Sequence, residues 1–134
     1  MSETGGIVAD AVVTMAATHY AVGVSTGRHG FVADEPTGGG GGDAGPSPFG
    51  LLLSSLGACT AITLRMYCER KQWPLGAIEV RLAYRWQGET PAIERLLSLG
   101  GLDEAQRARC TEIAEKTPVT RALKRGIEIH TVIR

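Results

Sequence analysis

Residues 45–60 read Gly-Pro-Ser-Pro-Phe-Gly-Leu-Leu-Leu-Ser-Ser-Leu-Gly-Ala-Cys-Thr and predict the beginning of a long helix. Ser47 is a favourable N-cap, and Pro48 suits the first helical position, where its missing N–H costs nothing. Apolar side chains then recur at spacings of three and four residues, which places Cys59 on an apolar stripe. We therefore expect a helix from about Pro48 to Arg70. The predicted stripe comprises Leu52, Leu53, Leu56, Cys59, Ile62, Thr63 and Met66.

Strand patterns flank this helix on both sides. Apolar and polar residues alternate over 20–24, 78–86 and 127–133, which predicts half-buried strands. Residues 93–99 fit either a helical or a strand period. The short connection before them contains Gly88, which is typical of a hairpin turn. Two further helices are predicted, one over the amphipathic stretch 103–116 and one from Pro118 to Lys124.

Composition limits the classes of protein to which the chain can belong. Its 134 residues, 43% of them hydrophobic, predict a single domain over 1–134. Fourteen basic and fourteen acidic residues leave no net charge, so we expect no nucleic acid and no anionic membrane as partner. No apolar run approaches the roughly 20 residues of a membrane span, and no signal peptide is recognisable, so we expect a cytoplasmic protein.

The glycine-rich segment 37–45 contains five consecutive glycines but no following Lys-Ser or Lys-Thr. A phosphate-binding loop needs that lysine and hydroxyl at the helix start, so we expect a flexible loop instead. The three histidines have no metal-ligand spacing among themselves or with the three cysteines. We expect no metal and no cofactor.

Beyond these patterns, the stretch 45–67 resembles the OsmC/Ohr family of organic hydroperoxide reductases. It reads Gly-Pro-Ser-Pro-Phe-x-Leu-Leu-Leu-x-x-Leu-Gly-Ala-Cys-Thr-Ala-Ile-Thr-Leu-Arg-Met-Tyr. The resemblance continues through Asp34-Glu35-Pro36, residues 70–75 and residues 101–121, and it covers roughly residues 20–131 in the expected order. It implies an α+β fold with a strand at 93–99. It also implies an intertwined homodimer, in which a long central helix packs against antiparallel sheets. A long apolar helix would otherwise leave a large apolar patch exposed.

The resemblance assigns roles to four positions. Cys59 corresponds to the peroxidatic thiolate, which attacks the O–O bond and becomes a sulfenic acid. The resolving cysteine of the family falls at Thr117, and the glutamate that supports the thiol falls at Phe49 or Gly50. The arginine that pairs with this glutamate falls near Thr18-His19-Tyr20, where the chain has no arginine. Three of the four catalytic groups are therefore missing or displaced.

A buried thiol needs a nearby cation, because burial alone raises its pKa and suppresses the thiolate. The candidate cations are Arg28, Arg65 and Arg121. Arg28 lies in a predicted turn and is the candidate thiolate stabiliser, with a purely solvated turn residue as the alternative.

Two more cysteines could take part in redox chemistry. Cys68 follows Cys59 by nine residues and points about 180° away from it, so an intact helix prevents a disulfide between them. Cys110 is an alternative resolving thiol, but it lies about two turns before Thr117 and would require a register shift or local unfolding. A structural reading remains open for all three cysteines, since a free cysteine often acts as a small hydrophobic residue. Thr117 is also a favourable N-cap before Pro118.

Two functions follow as expectations. The first is a thiol-dependent peroxidase in which Cys59 reduces an organic hydroperoxide and an external thiol, such as a dihydrolipoyl group, reduces the sulfenic acid directly. The second is a non-catalytic homodimer that binds a hydrophobic small molecule at its interface. The retained segment around Cys59 favours the first function, whereas the missing catalytic groups favour the second.

Overall fold

The computed structural model of the chain describes residues 6–16 and 19–134. These residues group into two units, Met1–Leu51 and Leu52–Arg134. The single domain predicted over 1–134 stays a prediction.

The first unit contains a three-stranded antiparallel sheet. Its strands are β1 (Val12–Met15), β2 (Val22–Thr26) and β3 (His29–Ala33), in the order β1-β2-β3. Sequence alternation predicted β2 but not β1, which is short and exposed. A two-residue turn, Gly27-Arg28, joins β2 to β3, and Gly27 adopts the positive φ that such a turn favours. A short 3-10 helix follows over Thr37–Gly39.

The buried carboxylate of Asp34 organises the glycine-rich segment 37–45. It accepts hydrogen bonds from the backbone N–H groups of Glu35 at 2.7 Å, Gly42 at 3.1 Å and Ala44 at 3.1 Å. These bonds, with that from Ala44 contributing most, lower the pKa of Asp34. The segment therefore has a defined hydrogen-bonded path, and the flexibility predicted for it stays a prediction.

The long helix α1 spans Pro48–Lys71, as predicted. Ser47 caps it, because its Oγ accepts the N–H of Gly50 at 3.1 Å. The predicted apolar stripe, however, is wrong in part, since Ile62 and Met66 are 55% and 56% exposed and Cys59 is only half-buried. The buried face is instead a row at spacings of four, Leu56, Thr60, Leu64 and Cys68.

A hairpin of two long strands packs against α1. β4 (Ile78–Gln87) pairs antiparallel with β5 (Thr90–Leu99), and Gly88 adopts a positive φ in the turn between them. This confirms both strands and the hairpin turn. The approach to α1 is close, because a Cβ at Gly57 would lie 2.9 Å from Cδ1 of Leu82.

Two short helices complete the second unit. α2 spans Glu104–Ala114 and begins with a capping box formed by Asp103 and Gln106. α3 spans Pro118–Arg125, with Thr117 as its N-cap and a proline in its first turn, as predicted. A buried cluster joins α2 to α1, and it consists of Leu64, Cys68, Leu75, Leu102 and Cys110.

The strand predicted over 127–133 does not form within the single chain. The segment forms no strand, and its alternating apolar residues are exposed, from 68% at Ile127 to 95% at Ile133. A strand is stable only when a neighbouring strand satisfies its backbone groups, and neither sheet of the described residues pairs with this segment.

Candidate functional site

A nearly buried arginine on β5 joins all three helices of the second unit. Only 12% of the Arg95 side chain is exposed. Its Nη1 donates to the hydroxyl oxygen of Thr60 on α1 at 3.0 Å and to that of Thr120 on α3 at 2.9 Å. Its Nη2 donates to the carbonyl oxygen of Ala114, the last residue of α2, and to Glu115, both at 3.1 Å. Arg95 therefore fixes the start of α3 and the middle of α1 relative to the sheet.

The hydroxyls of Thr117 and Thr120 extend this network. Both residues are buried, and their hydroxyl oxygens lie 2.7 Å apart. The single Thr120 hydroxyl proton is donated to the carbonyl of Ala114 at 3.1 Å, so the Thr117 hydroxyl donates to Thr120. Thr117 Oγ1 also accepts the Thr120 N–H as the cap of α3. Thr117, the position at which the sequence resemblance predicts the family's resolving cysteine, thus holds a hydroxyl with both donor and acceptor functions used.

Hydrogen bonds connect this position to the neighbourhood of Cys59. They run from Thr117 through Thr120 and Arg95 to Thr60, the residue that follows Cys59. The Cys59 side chain itself points about 100° around the helix from Thr60, away from the hairpin. Within the described residues its thiol has no hydrogen-bond or ionic partner.

The predicted cations lie in different surroundings. Arg65 donates to the carbonyl oxygens of Leu75 at 2.8 Å and Gly76 at 2.6 Å, so it secures the loop after α1. Arg28 lies exposed in the β2–β3 turn, and Arg121 lies exposed on α3. The role of Arg28 as thiolate stabiliser stays a prediction.

Sequence reasoning missed Arg95 as a member of the site. The signal that could have found it is its place in the alternation of β5, where it occupies an inward position between Ile93 and Leu97. A charged residue at such a position is rarely buried without partners.

Cys110 lies against Cys68 in the core. Their sulfur atoms are 3.8 Å apart, and both residues are buried. Burial, followed by the contact with Cys68, raises the pKa of Cys110 to about 11. Cys68 projects from the opposite side of α1, about 13.5 Å along its axis from Cys59. The structure therefore does not bring Cys110 to Cys59.

The positions of the family's glutamate lie in the first turn of α1. Phe49 and Gly50 occupy this turn, which contains no acidic residue. Thr18, at the expected position of the family's arginine, lies outside the described residues, whereas His19 is described and has a positive φ of 57°. The described part of the chain holds no group of three or more His, Cys, Asp or Glu side chains that could bind a metal ion.

A cleft of about 590 Å³ lies beside Arg95, within the second unit. Its walls are mostly apolar, and three charged side chains lie together along it. These are Arg95, Glu115 and Lys124.

Comparison with known proteins decides the family. The sequence model of the OsmC-like protein family matches residues 39–132, which is well over half of the chain. The chain belongs to the OsmC-like protein family. The resemblance seen in the sequence is confirmed, and so is the α+β fold with a long helix and antiparallel sheets. A comparison with curated proteins finds no significant match.

Solved structures share this fold at low sequence identity. A Psychrobacter arcticus protein described as a candidate osmotic stress induced and detoxification response protein has a TM-score of 0.73 and 14% identity, over 91% of each chain. The organic hydroperoxide resistance protein OsmC of Legionella pneumophila has a TM-score of 0.70 and 16% identity, over 90% of this chain and 92% of that chain. An OsmC-like protein of Mycoplasma pneumoniae has a TM-score of 0.70 and 13% identity, over 92% of this chain and 89% of that chain.

The expectation that no segment could cross a membrane needs correction. α1 has 24 residues, and 18 of them reach a mean hydropathy of 1.4, so this helix is long and apolar enough to span a bilayer. The core helix of a soluble protein passes the same test, so length and composition alone do not assign α1 to a membrane.

Proposed function

We propose that this OsmC-like protein is a thiol-dependent peroxidase that reduces organic hydroperoxides through Cys59 alone. The observation that carries the proposal is the separation of the three thiols. Cys68 and Cys110 are buried against each other, position 117 holds a hydroxyl, and Cys59 is the half-buried thiol in the family's peroxidatic segment.

The reaction has two stages. The Cys59 thiolate attacks the terminal oxygen of the hydroperoxide, the O–O bond breaks, and the leaving alkoxide takes up a proton to become an alcohol. Cys59 becomes a sulfenic acid, oxidised by two electrons. An external thiol then attacks the sulfenic sulfur and releases water, and a second thiol group of the reductant breaks the resulting mixed disulfide. A dihydrolipoyl group, which carries two thiols, is a suitable reductant.

The same proposal includes a homodimer in the cytoplasm. The face of α1 that carries Cys59 also carries Ile62 and Met66, and this apolar face is uncovered in a single chain. A second copy is the natural cover for such a face. A reducing compartment agrees with three free thiols, two of which lie in contact without forming a bond.

Trapping of the sulfenic acid tests the peroxidase. Stoichiometric cumene hydroperoxide in the presence of dimedone should modify Cys59, and mass spectrometry of peptides should find the adduct there. The Cys59→Ser variant serves as the control and should give none. A disulfide between Cys59 and Cys110 as the main product would contradict the one-cysteine mechanism.

A second candidate is the binding of a hydrophobic small molecule at the dimer interface without peroxide chemistry. The observation that favours it is the lack of an ionic partner for the Cys59 thiol among the described residues, because thiolate formation needs one. If excess hydroperoxide leaves Cys59 unmodified, this second function replaces the first.

A further inference from the structure

The cleft beside Arg95 has apolar walls and, on one side, two positively charged side chains and one carboxylate. Its volume of about 590 Å³ falls within the range of small-molecule sites. Side chains of Leu56, Tyr84, Ile93 and Leu123 supply its apolar lining. An aliphatic chain in this cleft would leave water and contact these apolar walls, which stabilises the bound state in proportion to the apolar area that is buried.

The charged side of the cleft has an excess of one positive charge. Glu115 accepts a hydrogen bond from Arg95 at 3.1 Å and another from Lys124, so a single carboxylate serves two cations. The bond from Lys124, the larger influence, and the charge of Arg95 lower the pKa of Glu115, which is therefore ionised at neutral pH. The remaining charge of the three groups is positive.

Both cations also retain donors for a further acceptor. The four hydrogen bonds of Arg95 use Nη1 and Nη2, so its Nε–H has no acceptor among the described residues. Lys124 uses one of its three N–H donors on Glu115. A ligand oxygen that carries negative charge would suit these donors.

We propose that this cleft is a binding site for an amphipathic carboxylate, with its aliphatic chain against the apolar walls and its head group beside Arg95 and Lys124. The site is separate from the thiol, because Cys59 is not among the lining residues. All of its lining residues belong to residues 52–134 of one chain, whereas the pocket of the second candidate function would be formed between two chains.

Titration calorimetry with three probes of equal chain length tests the ligand class. Decanoate should bind to the full-length protein more tightly than decanol, and decyltrimethylammonium should bind most weakly. Equal binding of decanoate and decanol would overturn the proposal, because the positive charge would then have no role.

Two variants with opposite effects test the charges. Lys124→Met should weaken decanoate binding about two- to fivefold, since exposed ion pairs contribute up to about 1 kcal/mol, and should leave decanol binding unchanged. Glu115→Gln should strengthen decanoate binding, because it removes the competing carboxylate. Arg125→Met is the matched control on the same helix, because Arg125 is exposed and does not line the cleft. Equal losses in Lys124→Met and Arg125→Met would overturn the proposal.

The Cys59→Ser variant separates this site from the proposed peroxidase. It should bind decanoate as the unmodified protein does, although it cannot form a sulfenic acid. Loss of decanoate binding in this variant would place the ligand at the thiol and refute a separate site. Failure of Cys59 to react with hydroperoxide, by contrast, would leave the decanoate result unaffected.

Discussion

In the proposed one-cysteine mechanism, the threonine at position 117 takes the place of a thiol that would resolve Cys59 within its own subunit. Its hydroxyl donates to Thr120 and its oxygen caps α3, so the residue is integrated into the polar network and does not merely fill the space of a cysteine. A thiol at the same position would lie at a helix N-terminus, where the helix dipole lowers the pKa of a cysteine and favours exchange.

Thr117→Cys should therefore restore an intrasubunit disulfide with Cys59 after treatment with hydroperoxide. Weaker capping should reduce the free energy of unfolding by about 1 kcal/mol. The bond can be detected as a shift on a non-reducing gel and as a cross-linked peptide. Thr117→Ser, which keeps the hydroxyl cap, is the control and should show neither. If Cys59 is oxidised in a native-like Thr117→Cys protein but no bond forms, the family's peroxidase geometry does not apply here.

Among the charged residues of the second unit, Arg95 should be the one whose substitution lowers the free energy of unfolding most. Arg95→Met removes the donor to the buried hydroxyl oxygen of Thr60 and one of the two donors to that of Thr120, and loss of these buried hydrogen bonds should lower the free energy of unfolding by about 2–4 kcal/mol. Arg85→Met on the neighbouring strand breaks only an exposed ion pair with Glu94 and should cost less than about 1 kcal/mol. Urea unfolding of both variants measures the difference. Equal losses in the free energy of unfolding would show that the hydrogen bonds of Arg95 stabilise the fold no more than an exposed ion pair does.

At the scale of elements, the glycine-rich segment 37–45 connects β3 to α1, and two of its backbone N–H groups donate to the Asp34 carboxylate. A Cβ at Gly45 would lie 1.9 Å from the carbonyl oxygen of Val32, whereas a Cβ at Gly38 would meet nothing within 4 Å. The close approach of two backbone segments therefore requires glycine at position 45, whereas position 38 has room for a side chain.

Gly45→Ala should lower the free energy of unfolding by about 1–3 kcal/mol, because the added methyl group must displace backbone. Gly38→Ala should be neutral or slightly stabilising, since it reduces the entropy of the unfolded chain at an uncrowded position. Chemical denaturation of both variants measures the difference in their free energies of unfolding. A segment without fixed structure would tolerate both changes equally.

Element bounds were largely predictable from sequence where the determinants are local. Ser47 and Pro48 define the start of α1, and Thr117 and Pro118 define that of α3, through contacts within one helical turn. The buried face of α1 was not predictable in the same way. This helix carries apolar residues on nearly all sides, so the spacing of apolar residues does not indicate which side is buried.

Features that depend on distant residues could not be predicted. The segment 127–133 has the alternation of a strand, but alternation does not supply a neighbouring strand. The partners of Arg95 come from α1, α2 and α3, between 19 and 35 residues away in sequence. The catalytic assignment of Cys59 came from resemblance, since its spacing alone fits a structural residue equally well.

At the scale of the whole molecule, the uncovered face of α1 predicts self-association. Sedimentation should show a dimer at micromolar concentration. Ile62→Glu should shift the equilibrium towards monomer, because it places a charge on the apolar face that a second copy would bury. Gln72→Glu, which adds the same charge just beyond the end of α1, is the control and should remain dimeric. A clean monomer of the unmodified protein would contradict the prediction.

The contact between Cys68 and Cys110 provides a natural reporter of global opening. Both thiols are buried between α1 and α2, so an alkylating reagent can reach them only when these helices separate. In pulse-labelling experiments on the native protein, the labels at Cys68 and Cys110 should therefore appear together, at the rate of the opening reaction. Labelling of Cys110 well before Cys68 would show that α2 detaches on its own. A cysteine pair that takes no part in the proposed chemistry thus allows the opening of the native state to be timed without an added probe.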